Sequence, residues 1–223
     1  LVSKADVEAE RLILGTIPAG DRVHAEESGE SPGAGSYWIV DPLDGTINFL
    51  HQIPFWCVSL SVVEDGALVS GVVHAPRLGL TFTADAGEGA RVNGSPAAVS
   101  TTEEIGDAIL ATGFPSARDT LADNNLENVP RVGIAAGGLR RMGSAALDLA
   151  FTAAGRLDGY WELHLSAWDV AAGILLVREA GGRVTDFRGN EDLSKLLYGR
   201  NIVASNETLH TQITERLAEL REL

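Results

Sequence analysis

The chain has 223 residues, of which 45% are hydrophobic and 22% charged, a composition typical of a globular protein rather than a disordered or fibrous one. Its formal net charge of −14 argues against direct binding to nucleic acid or to an anionic membrane, because both require a basic patch. The single cysteine, Cys57, excludes an intrachain disulfide framework and favours a reducing, cytoplasmic compartment, and no apolar stretch approaches the roughly 18 residues of a membrane span.

The N-terminal part predicts a helix followed by short strands. The chain begins at Leu1 inside a helical pattern, without a signal-peptide pattern, so a preceding segment is expected. Residues 3–15 form the predicted helix, with Ser3 as its cap. A strand then ends at Glu26-Glu27, and the apolar run at residues 37–40 predicts a second strand that stops at Asp41-Pro42.

The middle of the chain predicts an antiparallel meander. Residues 56–63, 67–75 and 79–84 are strand-like, and Glu64-Asp65-Gly66 is a hairpin signal between the first two. Further along, residues 108–112 predict a strand, and residues 119–129 predict a helix that ends before Pro130.

The C-terminal third alternates between helix and strand, a pattern that predicts layers of helices on sheets. The predicted helices are residues 144–154, 169–180 and 206–221, and the predicted strands are 157–161, 182–186 and 201–205.

The most informative stretch is Asp41-Pro42-Leu43-Asp44-Gly45-Thr46, where two carboxylates directly follow an apolar strand. Both carboxylates can point into one pocket while the Leu43 carbonyl adds a third oxygen, and Mg²⁺ prefers oxygen ligands. Gly45 permits close backbone approach, and a short helix at residues 48–51 would present amide groups suited to phosphate.

Taken alone, this pattern is more often a capped turn than a metal site, so other carboxylates must converge on it. Glu26 lies at its own predicted strand end. Asp169 directly precedes an apolar helical run, where it is equally well explained as a helix-capping acid.

Two long segments resemble the signatures of the inositol monophosphatase family. The first is Trp38-Ile39-Val40-Asp41-Pro42-Leu43-Asp44-Gly45-Thr46-Ile47-Asn48-Phe49, and the second runs from Trp168-Asp169-Val170-Ala171-Ala172-Gly173 to Glu179-Ala180-Gly181-Gly182. The resemblance implies an α/β (α+β) fold, a layered α-β-α-β-α sandwich. It divides into residues 1–105, a helix and antiparallel sheet carrying most metal ligands, and residues 106–223, an α/β part closing the active site, packed as one compact unit.

The resemblance also implies roles for individual residues. The first metal ion would be held by Glu26, Asp41 and the Leu43 carbonyl, and the second by Asp41, Asp44 and Asp169. Glu26 and Thr46 would position a metal-activated water, with Asp6 bonded to Thr46, and the amides of Gly45 and Thr46 would hold the phosphate. The substrate pocket would be formed by Gly143, Ser144, Ala145 and Glu162.

The implied activity is hydrolysis of a small phosphorylated alcohol with two or three Mg²⁺ ions, sensitive to Li⁺, in a homodimer. myo-Inositol 1-phosphate is favoured, because Glu162 suits a substrate hydroxyl; histidinol phosphate, fructose 1,6-bisphosphate and 3′-phosphoadenosine 5′-phosphate stay open, as does a protein-binding regulatory role. Family members usually carry a further N-terminal helix and mobile loop before the segment matching Leu1, which leaves a third metal site open. For the adjacent cations Arg140 and Arg141, subunit packing and substrate contact are equally plausible.

Overall fold

The larger of two sheets carries the first acidic motif. The computed structural model describes residues 2–198 and 201–218. The strands of this sheet are β1 Arg22–Ala25, β2 Gly29–Ser31, β3 Tyr37–Asp44, β4 Cys57–Glu64, β5 Ala67–Ala75, β6 Leu80–Asp85, β7 Ala90–Val92 and β8 Ser95–Pro96. Their order is β2-β1-β3-β4-β5-β6-β7-β8. β1 and β3 are parallel, whereas the other neighbouring pairs are antiparallel.

The second sheet has five strands from the C-terminal half. They are β9 Ile109–Thr112, β10 Gly138–Arg140, β11 Gly159–Leu163, β12 Arg183–Thr185 and β13 Asn201–Ser205. Their order is β10-β9-β11-β13-β12. β9 is parallel to both its neighbours, and β13 is antiparallel to both of its own.

The helices complete five layers. They are α1 Lys4–Leu14, α2 Thr46–Leu50, α3 Asn128–Gly133, α4 Ala145–Ala153, α5 Ala167–Glu179, α6 Leu193–Tyr198 and α7 Glu207–Ala218. α1 packs on β3, α4 and α5 pack between the two sheets, and α7 packs on β13 together with α3. The predicted layered α-β-α-β-α sandwich is therefore confirmed, while the boundary between residues 105 and 106 stays a prediction.

Strand alternation on β11 decides which side chains face the middle layer. Tyr160 belongs to the buried cluster that contains α4 and α5, whereas Trp161 belongs to the cluster that contains α7. Because side chains alternate along a strand, Glu162 lies on the same face as Tyr160. This face looks toward the N-terminal end of α4, where the acidic motif also lies.

Small residues bring α5 close to its neighbours. A Cβ on Gly173 would lie 2.5 Å from the Leu149 side chain of α4, and one on Gly71 of β5 would lie 3.3 Å from the backbone of Ala172. Close approach of this kind excludes larger side chains, because well-packed interiors have little spare volume. It sets how closely the middle of α5 packs against α4 and the large sheet.

Several predicted elements are confirmed. β4, β5 and β6 form the predicted antiparallel meander, and the C-terminal alternation of helix and strand is present. β11 spans residues 159–163 rather than 157–161. The predicted helix 206–221 appears as α7, and residues 219–221 lie outside the described residues.

Two local predictions are wrong. Residues 119–127 form no helix, because Asn125 adopts a left-handed φ of 72° and interrupts it. The helix instead begins at Asn128 and accommodates Pro130 in its first turn, where amide hydrogens have no partner inside the helix. β3 also continues through Asp44 instead of stopping at Pro42, with a bulge between Asp41 and Asp44.

Within the described residues, no helix is both long enough and apolar enough to cross a membrane.

Candidate active site

Three carboxylates from two distant segments converge at the end of β3. Asp41 and Asp44 flank the β3 bulge, and Asp169 lies in the first turn of α5. One oxygen from each lies within 4.8 Å of the others. Glu26 follows β1, the parallel neighbour of β3, and its amide donates to the Val40 carbonyl at 3.2 Å. Glu26 and the three aspartates together line one cavity of about 210 Å³, called the acidic cavity below.

Each of the three aspartates is oriented by hydrogen bonds to one of its oxygens. Asp41 Oδ1 accepts from the Leu43 amide at 2.9 Å, and Asp169 Oδ2 accepts from the Ser166 amide at 2.6 Å. Asp44 Oδ2 accepts from the Ser144 hydroxyl at 2.6 Å and from the Ala146 amide at 2.7 Å. These bonds fix the direction of each carboxylate, as a metal site requires.

Burial raises the pKa of every carboxylate in the cluster, and repulsion by neighbouring carboxylates adds to the rise at Asp41, Asp169 and Glu26. Burial is the largest cause for Asp41 and Asp169, whose pKa values lie well above the usual range, with Asp44 the next largest cause for both. Burial also raises the pKa of Asp44 to about 6 and that of Glu26 to about 7. Because several negative charges share one buried site, the folded protein gains if a cation neutralises them.

The donor set fits a hard divalent cation. Its members are carboxylate oxygens from Glu26, Asp41, Asp44 and Asp169, and the Leu43 carbonyl lines the same cavity. Among the described residues, Arg141 is the only lysine or arginine lining this cavity, so the protein supplies little counter-charge. All-oxygen donors with excess negative charge are the ligands that Mg²⁺ prefers.

A hydroxyl and a carboxylate form a second feature of this cavity. Thr46 Oγ1 donates to Asp6 Oδ1 at 2.9 Å and lies 3.1 Å from the Leu43 carbonyl. The other oxygen of Asp6 accepts from the Ser3 amide at 2.8 Å and caps α1. The structure thus joins the predicted Asp6–Thr46 pair, and it ties that pair to the position of α1.

Gly45 allows the backbone to turn between the aspartates and Thr46. Its φ is +93°, and a Cβ here would lie 3.1 Å from the Phe55 carbonyl and 3.3 Å from the Gly143 carbonyl. The short helix expected at residues 48–51 begins earlier, as α2 at Thr46. Gly45 and Thr46 line the acidic cavity, and the contact of their amides with phosphate stays a prediction.

A neighbouring cavity of about 190 Å³ contains the predicted substrate contacts. Gly143, Ser144, Ala145 and Glu162 all line it, together with Asp44 and Asp169. The Tyr160 hydroxyl donates to Glu162 Oε2 at 2.5 Å. Burial raises the pKa of Glu162 to about 7. The two cavities therefore share the aspartates that face both.

Sequence reasoning missed three features of this region. Asp148 is buried with its Oδ1 lacking a hydrogen-bond partner among the described residues, and burial and Glu162 raise its pKa well above the usual range. Asn125 is also buried, and its amide nitrogen donates to the Gly113 carbonyl at 2.6 Å, fixing one wall. Ser116 lines both cavities. The left-handed Asn125 was the only one with a sequence signal, since asparagine tolerates that conformation.

Comparison with known proteins connects this site to one family. Residues 1–222 match the model of the Inositol monophosphatase family. A Mesorhizobium japonicum protein named inositol-1-monophosphatase is 42% identical over 213 residues, covering 93% of this chain and 79% of that protein. The Escherichia coli protein named Nus factor SuhB is 42% identical over 226 residues, covering 99% of this chain and 82% of that protein. The solved structure of inositol monophosphatase from Anabaena (Nostoc) sp. PCC 7120 has a TM-score of 0.91 at 38% identity, covering 98% of this chain and 87% of that one.

Proposed function

Since the chain belongs to the inositol monophosphatase family and is a phosphoric monoester hydrolase, we propose that it hydrolyses myo-inositol 1-phosphate in the presence of Mg²⁺. The observation that carries this proposal is the convergence of Asp41, Asp44 and Asp169 within 4.8 Å. Their buried negative charge would repel a phosphate dianion unless cations were bound. Phosphate affinity and catalysis are therefore both expected to require the metal.

We assign two cation positions to the acidic cavity. Glu26, Asp41 and the Leu43 carbonyl would hold one ion, and Asp41, Asp44 and Asp169 would hold the other; a third ion stays open. When bound, such ions supply charge neutralisation of phosphate oxygens and make water a nucleophile at neutral pH. The hydrogen bonds to Asp41, Asp44 and Asp169 hold the carboxylates in place for this role.

Side chains beside these carboxylates would position the attacking water, and backbone amides would bind the phosphate. Asp6 accepts a hydrogen bond from the Thr46 hydroxyl at 2.9 Å, which would leave a lone pair of Thr46 Oγ1 for the cavity. Thr46 Oγ1 then accepts one hydrogen of the attacking water, and Glu26 accepts the other. The amides of Gly45 and Thr46 bind phosphate oxygens and set the substrate in line with that water.

The leaving alcohol would occupy the neighbouring cavity. Glu162 lines it and accepts a hydrogen bond from Tyr160, and its carboxylate would accept a second from a substrate hydroxyl. Gly143, Ser144 and Ala145 line the same cavity. This pairing supports a polyol, while histidinol phosphate, fructose 1,6-bisphosphate and 3′-phosphoadenosine 5′-phosphate are the alternatives.

The test is phosphate release from these four substrates with Mg²⁺, with a chelator, and with added Li⁺. We expect Mg²⁺-dependent turnover that is highest with inositol 1-phosphate and is inhibited by Li⁺. Faster turnover of another substrate would replace inositol 1-phosphate in the proposal. Undiminished turnover in chelator would overturn the metal mechanism itself.

A second candidate function is favoured by one comparison. Relatives that are 42% identical over nearly the whole chain carry the name Nus factor SuhB. We propose that this chain also binds a protein partner independently of hydrolysis. An Asp44→Asn variant that loses phosphatase activity yet captures the same proteins as wild type supports that role, whereas loss of capture ties binding to the site.

Homodimer formation and cytoplasmic location also remain proposals, and light scattering of the purified chain tests the first.

A further inference from the structure

One cation lies at the junction of the two cavities. Arg141 follows β10, is exposed, and lines both the acidic cavity and the cavity that contains Glu162. Among the described residues it is the only lysine or arginine that lines either cavity. A Cβ on Gly143 would lie 2.5 Å from Arg141 Nη1, so the guanidinium rests directly against the Gly143 backbone.

No described residue satisfies this guanidinium. The ion pairs found in residues 2–198 and 201–218 involve other arginines, and Arg141 has no hydrogen bond to a described partner. Arginine offers five donors in a planar fork and stays charged at all physiological pH values. These donors are therefore available to whatever enters the cavity.

The charge of Arg141 acts on two carboxyl groups of the middle of the molecule. Glu162 and Asp148 belong to β11 and α4, and the positive charge of Arg141 acts on both carboxyl groups. Asp44, Glu162 and Asp169 line this cavity, so without Arg141 its acidic side chains would have no lysine or arginine beside them and a cationic alcohol would be favoured. With Arg141, a hydroxyl group can accept a hydrogen bond from one wall and donate one to the other.

We propose that Arg141 is a specificity-determining residue that selects phosphomonoesters with neutral or anionic alcohol groups and disfavours those with cationic ones. The proposal rests on the proposed function, because it assigns the Glu162 cavity to the leaving alcohol. Arg141 donates to substrate oxygen atoms while Glu162 accepts from a hydroxyl. An ammonium group at the same place would meet the guanidinium at close range.

Three substrates of equal length separate charge from size. They are 2-hydroxyethyl phosphate, which is neutral at the far end, phosphoethanolamine, which is cationic there, and 2-phosphoglycolate, which is anionic. For each we would measure kcat and KM with Mg²⁺, and dissociation constants by calorimetry. The variants are Arg141→Met, Arg141→Lys and, as matched control, Arg140→Met, whose residue lies outside both cavities and bonds the Leu139 carbonyl.

In Arg141→Met, the ratio of kcat/KM for phosphoethanolamine to kcat/KM for 2-hydroxyethyl phosphate is expected to rise about tenfold. The corresponding ratio for 2-phosphoglycolate should fall by a similar factor. Arg141→Lys keeps the charge and should stay within about threefold of wild type, and Arg140→Met should match wild type. Thermal unfolding and light scattering confirm that the variants share one fold and assembly.

An unchanged selectivity in Arg141→Met, both in kcat/KM and in dissociation constants, overturns the proposal. A shift in selectivity of equal size in Arg140→Met overturns it as well, because the effect would then come from the loss of any nearby positive charge and not from Arg141 itself. Failure of the proposed function looks different: inositol 1-phosphate is not hydrolysed, while the charge series still distinguishes Arg141→Met from wild type.

Discussion

The substitution Gly113→Ala should displace the carboxylate of Glu162 without replacing any acidic residue. Gly113 directly follows β9, and a Cβ at this position would lie 2.0 Å from Glu162 Oε2 and 2.3 Å from its Cδ. Ordinary contacts begin near 3.4 Å, so the carboxylate of Glu162 must retreat by about 1.4 Å in Gly113→Ala. Forcing such a shift in a packed interior costs about 1–3 kcal/mol of unfolding free energy.

The catalytic effect follows from positioning. A displacement of about 1 Å can cost up to roughly 10²-fold in rate, so we expect kcat/KM for inositol 1-phosphate to fall about 10- to 100-fold. Ethyl phosphate has no hydroxyl for Glu162 to bind, so its kcat/KM should change by less than about threefold. The ratio between these two substrates is the measurement, taken by phosphate release.

The matched control is Gly106→Ala, because a Cβ on Gly106 meets nothing closer than the Ala135 carbonyl at 4.0 Å. Glu162→Asp, which shortens the side chain, should relieve part of the clash, so the double variant should lose less than the two single losses combined. If folded Gly113→Ala protein kept the wild-type substrate ratio, Glu162 would have no part in binding the alcohol.

Three further predictions concern the metal site, the water-positioning pair and a buried histidine. Asp44→Asn should reduce kcat/KM at least 10²-fold and weaken Mg²⁺ binding in calorimetry, with the exposed Asp85→Asn as control; equal activity in both would remove Asp44 from the site. Thr46→Val should lose about 10²–10⁴-fold in kcat while Thr46→Ser keeps most of it, because only serine can still donate to Asp6; equal loss in both would refute the hydroxyl role. Burial, followed by the charge of Arg183, lowers the pKa of His210 to about 4, below its unfolded value near 6.5. The contribution of neutral His210 to the free energy of unfolding is therefore complete above pH 6.5 and is lost as the pH falls toward 4. Urea unfolding should show His210→Gln less pH-sensitive than wild type by about 2 kcal/mol between pH 7.5 and 5, and parallel curves would contradict this.

The sequence could predict what is local in the site. Asp41 and Asp44 lie three residues apart at a strand end, and Thr46 follows at once, so their convergence needs only the geometry of one turn. Asp169 and Asp6 were reached through the resemblance, because their approach to that turn depends on α5 and α1 packing on the large sheet. Spacing along the chain carries no information about such contacts.

The features that escaped prediction depend on tertiary packing. Asp148 sits inside an apolar helical pattern of α4, and its burial beside Glu162 is set by how α4 meets β11. The helix expected at residues 119–129 failed because Asn125 exchanges helical geometry for four buried hydrogen bonds, among them one from Trp161 at 3.0 Å. Tertiary contacts here outweigh local propensity, which differs by less than about 1 kcal/mol per residue.

The structural and functional interpretations of the acidic residues are compatible with each other, because a carboxylate has two oxygens. Asp169 Oδ2 caps α5 at the Ser166 amide, and Asp6 caps α1 with one oxygen while the other binds Thr46. Asp44 likewise accepts a hydrogen bond from the Ala146 amide in the first turn of α4 while lining the cavity. A capping role therefore does not count against a metal ligand. Substitution by asparagine, which retains an oxygen for the cap but removes the charge, separates the two roles where alanine would abolish both.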